Sequence, residues 1–414
     1  MARILLWFPH AFHRQRMGSQ QGAMKLLKGL LATGHEIHIA SGTYPVGSGM
    51  EWNSEGFAAM EAAGVESVHV HRSFLDDVIG LVLRKRDERT GRVRPLDSWA
   101  YTPPLLRRWF GRLAARIRPD ILVVNYATSD TLVEASGFDR SRCILDLPDL
   151  VLVNKAMRRF LSSNLPPGRL DPATAPSRIL DLECFAGMEA GAGSEELDIC
   201  ARYGRVLSVS RREADLVEAR GGRAVHLPVA MPPVPMNNSW MGRAILATGP
   251  NAFNAQGYLW FAAKVLPLVR AKVPDFELGV TGALCPRLAP LDGVVPLGFV
   301  ENISDIYRDA RFSICPVFGG TGQQVKIVES MAHGVPVVAL SGPARESPIH
   351  HGIDGMICAG EERFADACIE LWKNAELRGT QGVAARTTVV GEVSDTWYQG
   401  EVVRIVEDVL AAKR

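Results

Sequence analysis

Lys326 and Glu329 stand three residues apart, directly after the small-residue run Gly319, Gly320, Thr321 and Gly322. On a helix that spacing puts an ammonium and a carboxylate on one face, so a cation and a hydroxyl acceptor can meet the same ligand. The glycines leave backbone N–H groups unobstructed by side chains. A helix that starts there adds unsatisfied N–H groups and a partial positive charge. Together these residues predict a binding site for a phosphorylated ligand. The structural alternative, a surface ion pair worth under about 0.5 kcal/mol, would suffice if the glycine loop were absent.

The elements that must hold this group are legible around it. Phe312 to Val317 reads as a short buried strand, and Val325, Ile327, Val328, Met331 and Ala332 recur at helical spacing from about Gln323 to His333. Gly334 and Pro336 stop the helix before an apolar strand from Val335 to Leu340. The unit is thus strand, glycine loop, helix, strand. Its neighbours repeat the theme: strand Ala244 to Thr248, helix Gly257 to Lys272, strands Glu277 to Thr281 and Val294 to Leu297, and helix Ser304 to Ala310. Alternation also fills the first half, with strands Arg3 to Phe8, Glu36 to Ala40, Asp120 to Asn125, Cys143 to Leu147 and Val206 to Val209, and a helix from Ser19 to Thr33. Such alternation predicts two α/β, Rossmann-like domains with parallel, doubly wound sheets.

Length agrees, because 414 residues exceed what one hydrophobic core usually supports. The proline-rich stretch from His226 to Asn238 is the expected linker, which gives domains 1–228 and 229–393 and a terminal segment 394–414 whose helix is free to pack back on the first domain. Between them in sequence, Val151 to Tyr203 reads as helical but is interrupted by Pro166, Pro167, Pro172 and Pro176. No apolar run approaches the roughly 18 to 20 residues that span a bilayer, and the chain opens on a strand, so a cytoplasmic location is expected. Seven widely spaced cysteines without a Cys-x-x-Cys pair read as reduced core residues.

Charge is uneven although the net value is only +1. From Arg72 to Arg118, twelve Arg or Lys face five Asp or Glu, a local excess of +7. Inside it, Leu105 to Arg118 reads as a basic amphipathic helix, and Val78 to Arg86 joins an apolar run to a basic cluster. These patterns suit peripheral contact with an anionic membrane or, equally, a solvated arginine face. Nothing in the sequence points to nucleic acid.

The pattern Gly-x-Gly-x-x-x-Lys-x-x-Glu-x-Met-Ala-x-Gly-x-Pro-Val-Val from Gly320 to Val338 resembles that of retaining glycosyltransferases of the GT-B fold, in particular glycosyltransferase family 4 and its bacterial polysaccharide-assembly branches. Supporting pieces run along the chain: Arg3-Ile-Leu with Gly18, Gly34-His-Glu-Ile-His, Asn251 with Trp260-Phe, Leu297 to Asn302, His351 to Gly355, and Trp397. The resemblance implies a nucleoside-diphosphate sugar, with UDP or GDP favoured, bound mainly by the C-terminal domain. It also implies a glycan or lipid-linked acceptor bound mainly by the N-terminal domain, with the reaction in a cleft between them. It assigns Glu329 to the ribose hydroxyls, Lys326 to the diphosphate, and Gly319, Gly320, Thr321 and Gly322 to the sugar and phosphate. Gly18 would approach the diphosphate from the first domain, Asn251 would contribute to the donor site, and the backbone near Phe299 and Val300 would grip the base.

The departures from the family pattern shape the expected mechanism. Thr321 stands where the first glutamate of a Glu-x7-Glu motif is expected, and the stretch Thr248 to Gln256 lacks the usual Arg and Lys pair. Lys326 must then carry more of the phosphate charge. Asn125 and Tyr126 follow the fourth strand where relatives have a histidine; His10, His13 and Asp146 are further acceptor-side candidates. The expected chemistry is sugar transfer with retention, the leaving diphosphate being stabilised by Lys326, loop amides and helix N-termini, with Asn125 and Glu329 beside it in the catalytic set. No Asp-x-Asp metal motif occurs, so neither metal nor other cofactor is expected. The alternative class is a catalytically inactive GT-B scaffold or sugar-binding partner. A dehydrogenase is disfavoured because the Phe8 to Gly22 loop lacks Gly-x-Gly-x-x-Gly spacing.

Overall fold

The computed structural model describes residues 1–15, 18–42, 50–90, 94–188 and 193–412, so Arg92 of the basic segment and Lys413 of the expected terminal helix lie outside the described residues. Two compact units are formed, one from Met1–Leu152, Ala190–Leu227 and Thr396–Arg414, the other from Val153–Glu189 and Pro228–Asp395.

The first unit is built on seven parallel strands: β1 (Arg3–Phe8), β2 (Glu36–Ser41), β3 (Ser67–Val70), β4 (Ile121–Asn125), β5 (Cys143–Leu147), β6 (Arg205–Ser208) and β7 (Ala224–His226), in the spatial order β3-β2-β1-β4-β5-β6-β7. β1 and β4 are buried almost throughout because helices cover both faces of a parallel sheet, which is why they read as continuous apolar runs rather than alternating ones. β3 and β7, at the two edges, are only half-buried. The order reverses direction between β1 and β4, so the loops after these two strands open away from each other and leave a crevice at the carboxyl edge. The terminal helix Asp395–Ala411 belongs to this unit from Thr396 onward. Its Val402 packs so close to Gly29 that any side chain at 29 would collide with it, and Glu407 lies 3.3 Å from His35.

The second unit carries six parallel strands: β8 (Ala244–Thr248), β9 (Leu278–Gly282), β10 (Val294–Gly298), β11 (Phe312–Cys315), β12 (Val337–Leu340) and β13 (Gly355–Cys358). Their order, β10-β9-β8-β11-β12-β13, repeats the topology of the first sheet and reverses between β8 and β11. β11 and β12 are wholly buried. Ala252–Trp260 continues through a π-helical turn, Phe261–Val265, into Leu266–Lys272, so the expected helix begins five residues earlier than its apolar periodicity indicates. The earlier start follows from Asn251, whose side chain caps the helix by accepting from the Asn254 N–H at 3.0 Å.

Val153–Glu189 lies in the second unit although it precedes the linker in sequence. Backbone and side-chain bonds hold it there: Gln256 donates to the Ile179 carbonyl, Arg287 to the carbonyls of Pro166 and Gly168, and Leu170 bridges to Leu288. Its Phe185 joins Phe253 and Phe318 in an aromatic cluster below the glycine loop.

Candidate functional site

In the second unit the loops on either side of the β8/β11 reversal bring the sequence-selected residues together. After β11 the chain runs through Gly319–Gly322 into the helix Val325–Ala332, which begins two residues later than its periodicity suggests because Gln324 has no side-chain cap to offer. The glycines are required for different reasons. A side chain at Gly319 would lie within 2.6 Å of Phe185 and Phe253, whereas Gly320 and Gly322 adopt φ values of 96° and 76° that other residues rarely take. Gly319 thus serves packing. Gly320 and Gly322 shape the loop, and the Gly320 N–H is directed at the Met157 sulfur. Thr321 is half-buried on the same loop.

Lys326 lies in the first turn of the helix, half-buried, and donates from Nζ to Asn254 Oδ1. Asn254 in turn donates from Nδ2 to Asn251 Oδ1 at 2.8 Å and to the Gly249 carbonyl at 3.3 Å. An amide relay therefore links the lysine of one loop to the helix cap of the other. Asn251 takes part as the cap of that relay. Burial lowers the Lys326 pKa to about 8, opposed by the Cys315 thiol and the Glu329 carboxylate. One turn on, burial raises the Glu329 carboxyl above the usual carboxylate range while Lys326 holds it down. Among the described residues no hydrogen bond ends on that carboxylate; only the Glu329 backbone carbonyl is engaged, accepting from the His333 backbone and Nδ1. The arrangement offers a cation of adjustable charge and an unengaged hydroxyl acceptor side by side. Farther along the same carboxyl edge, Phe299 is 84% exposed after β10 and Val300 is half-buried.

The other candidates lie in the first unit, on the loop after β1 and at the carboxyl ends of β4 and β5. Asn125 ends β4 and donates from Nδ2 to Asp146 Oδ2 at 2.7 Å, while its Oδ1 is buried without a partner. Tyr126 follows at φ 63°, ψ 148°, a strained conformation for a residue with a side chain, fixed by its N–H on the Asp146 carbonyl at 2.8 Å. Burial pushes the Asp146 carboxyl up to about 6, against the Asn125 hydrogen bond. Gly18 starts the helix Gly18–Ala32, exposed and with open space around it. His10 bonds the adjacent Ala11 carbonyl and His13 lies against Trp52; burial lowers both imidazole pKa values.

Sequence reasoning did not single out three supporting residues. Asn254 was readable only as half of an Asn-x-x-Asn capping spacing. Ser129 donates to the Asn125 carbonyl at 2.6 Å and accepts from Trp7 Nε1 at 3.1 Å, and the buried Tyr398 of the terminal helix has its phenol pKa raised by burial and by the Asp146 carboxylate. Asn254 meets Lys326 across 72 residues and Ser129 meets Trp7 across 122, separations for which no local pattern exists. Among the described residues no group of three or more metal-ligating side chains converges, and no helix is long and apolar enough to cross a membrane.

Two Rossmann-like units with the same strand order, each opening at a reversal of its parallel sheet, define the GT-B fold. Residues 242–374 match the family model described as glycosyl transferases group 1, a region that includes Asn254, Lys326 and Glu329. In sequence the chain is similar to an uncharacterized 44.6 kDa protein in the cps region of Klebsiella pneumoniae, 26% identical over 192 residues covering 43% of this chain; the chain spans about half (49%) of that relative's length. Among solved structures it is similar to sucrose-phosphate synthase from Thermosynechococcus elongatus, with a TM-score of 0.63 at 14% identity and full coverage of both chains. It is also similar to Anabaena HepE in complex with UDP and glucose, with a TM-score of 0.55 at 12% identity, covering 99% of this chain and 100% of that one.

Proposed function

We propose that this protein transfers a sugar from a nucleoside-diphosphate sugar to an acceptor hydroxyl, with retention of anomeric configuration. The observation that carries the proposal is the Asn251–Asn254–Lys326 relay beside the unengaged Glu329 carboxylate, at the reversal point of the second sheet. A diphosphate raises the affinity of Lys326 for its proton, because the negative charge repays the desolvation that now lowers it. Glu329 accepts from both ribose hydroxyls, a role for which a carboxylate has the necessary lone pairs. As the glycosidic bond breaks, charge grows on the leaving diphosphate, where the Lys326 ammonium and the partial positive charge of the helix N-terminus stabilise it. The acceptor hydroxyl attacks from the same face as the leaving group, and its proton passes to the departing diphosphate oxygen.

The match of residues 242–374 to glycosyl transferases group 1 supports this reading, as does the UDP complex of a protein with the same fold. Exposed Phe299 offers a flat apolar surface for the base. On the acceptor side the proposal takes Asn125, with its unpartnered buried Oδ1, as the contact to a sugar hydroxyl, and a glycan or lipid-linked glycan as the acceptor. Assembly of a cell-surface polysaccharide or glycolipid is the process such an acceptor serves. No step requires a divalent ion, so transfer is expected to persist in EDTA.

Calorimetry against UDP, GDP, ADP and CMP tests the donor site, with Glu329→Ala as the control. Binding of UDP or GDP that weakens at least about tenfold in the variant supports the assignment, the size expected for one charge-assisted contact. Equal binding by the variant would remove it. A chain that binds nucleotide but releases no nucleotide from any sugar nucleotide in the presence of acceptor glycans would be an inactive scaffold.

A further inference from the structure

Helix Phe74–Thr90 of the first unit is built inside out. A helix on a globular domain ordinarily buries its apolar stripe and turns its charges to water. Here Phe74 is 85% exposed, and Leu75, Val78, Leu81 and Val82 are exposed with it. These five positions follow the spacing i, i+1, i+4, i+7 and i+8, which is one face of a helix, and Lys85 and Arg89 continue that face as exposed residues. Two acidic residues take the inward side: Asp76 is 5% exposed and Asp87 is buried. Neither is idle there. Asp76 accepts from the Leu105 and Leu106 N–H groups at the start of helix Pro104–Ile117 and from His71 Nε2, and Asp87 accepts from Arg94 at 2.8 Å and from Arg86.

We propose that this face docks the protein on an anionic phospholipid surface, with the apolar stripe entering the headgroup boundary and Lys85 and Arg89 pairing with lipid phosphates. Charge complementarity selects this occupant. The buried positions of Asp76 and Asp87 withdraw two carboxylates from the face that an anionic surface would meet, while the exposed cations lie along the apolar stripe at its C-terminal end, the composition of a helix lying in a bilayer interface. The surrounding segment from Arg72 to Arg118 adds its excess of +7 to the long-range attraction. The docking surface is defined without reference to the donor site. It rests on the proposed function only in giving a lipid-linked acceptor a place to be presented.

The full chain is sedimented with vesicles of phosphatidylcholine alone and of phosphatidylcholine mixed with phosphatidylglycerol. The expected result is binding to the mixed vesicles only, reduced by at least about tenfold in Lys85→Glu/Arg89→Glu, since each basic residue near an anionic surface contributes about a fivefold factor. Leu81→Ser/Val82→Ser is expected to reduce it similarly. UDP binding is measured on every variant and should stay unchanged, which separates loss of docking from misfolding and from failure of the donor assignment. Wild-type protein that remains in the supernatant with mixed vesicles overturns the proposal, as do variants that sediment like the wild type. So does a lipid-free dimer that both double variants dissociate, because the face would then be covered by a second copy.

Discussion

The carboxyl edges of the two sheets share a strand order and a reversal point, yet they present opposite chemistry. At β8/β11 the loops supply a titratable cation, an amide relay and an unengaged carboxylate. At β1/β4 they supply a strained tyrosine, an asparagine and a buried carboxyl with a pKa near 6, and among the candidates described there none is a lysine or arginine. Topology therefore fixes where a ligand can sit, while the few side chains on the strand ends decide which ligand it is. A diphosphate suits the second edge. A neutral, hydroxyl-rich ligand suits the first, where Asn125 Oδ1 awaits a donor.

The largest expected effect contrasts the two edges directly. Lys326→Ala should weaken UDP or GDP binding by about ten- to a hundredfold in calorimetry, the range for losing a hydrogen bond to a charged group, whereas Asn125→Ala should leave nucleotide affinity unchanged. Similar losses at both edges would sink the contrast. Next, Asn254→Ala should weaken nucleotide binding by about tenfold and move its alkaline limit to lower pH, because the ammonium loses the acceptor that stabilises its charged form. A variant with normal pH dependence would show that Asn254 only caps its helix.

In the wild type, affinity for the diphosphate should be steady below neutrality and decline as pH rises through about 8, where free Lys326 loses its proton. Binding measured in buffers of different ionisation enthalpy should show net proton uptake near that pH; no uptake would mean that Lys326 does not meet the phosphate. Gly320→Ala should cost about 1 kcal/mol of stability in a urea titration, since the loop needs φ near 96° there while space for the methyl group exists.

The smallest effect sharpens the first edge. The Asp146 pKa is raised by folding, so the cost of burying its charge is present above about pH 6 and vanishes once both folded and unfolded states are protonated, below the ordinary carboxylate range. Asp146→Asn should therefore raise the melting temperature by a few degrees at neutral pH and lose that advantage in acid, leaving nucleotide binding untouched. An unchanged melting temperature at neutral pH would mean that the carboxylate is better solvated than its position indicates.

Much of the fold is legible because parallel strands covered on both sides are runs of apolar residues. Cys143–Leu147 and Ala244–Thr248 are found at their exact bounds for that reason. β3, β7 and β13 are missed. Each is a short strand at a sheet edge, where one neighbour is lacking and the apolar requirement is relaxed, so Ser67–Val70 and Ala224–His226 carry no run to detect. In the site, Lys326 and Glu329 are readable because helix spacing is a local property. Asn254, 72 residues from the lysine it holds, is not.

The sequence by itself determined the alternation that builds two parallel sheets, the glycine turn of the loop after β11, and the shared face of Lys326 and Glu329. These follow from steric and periodic rules that act within a few residues. Tertiary structure alone decided that Lys326 titrates near 8, that Asp146 titrates near 6, and that helix Phe74–Thr90 buries its aspartates and exposes its phenylalanine. Periodicity defines the faces of a helix but not which one the rest of the chain covers, and solvation, which sets both pKa and exposure, depends on that covering.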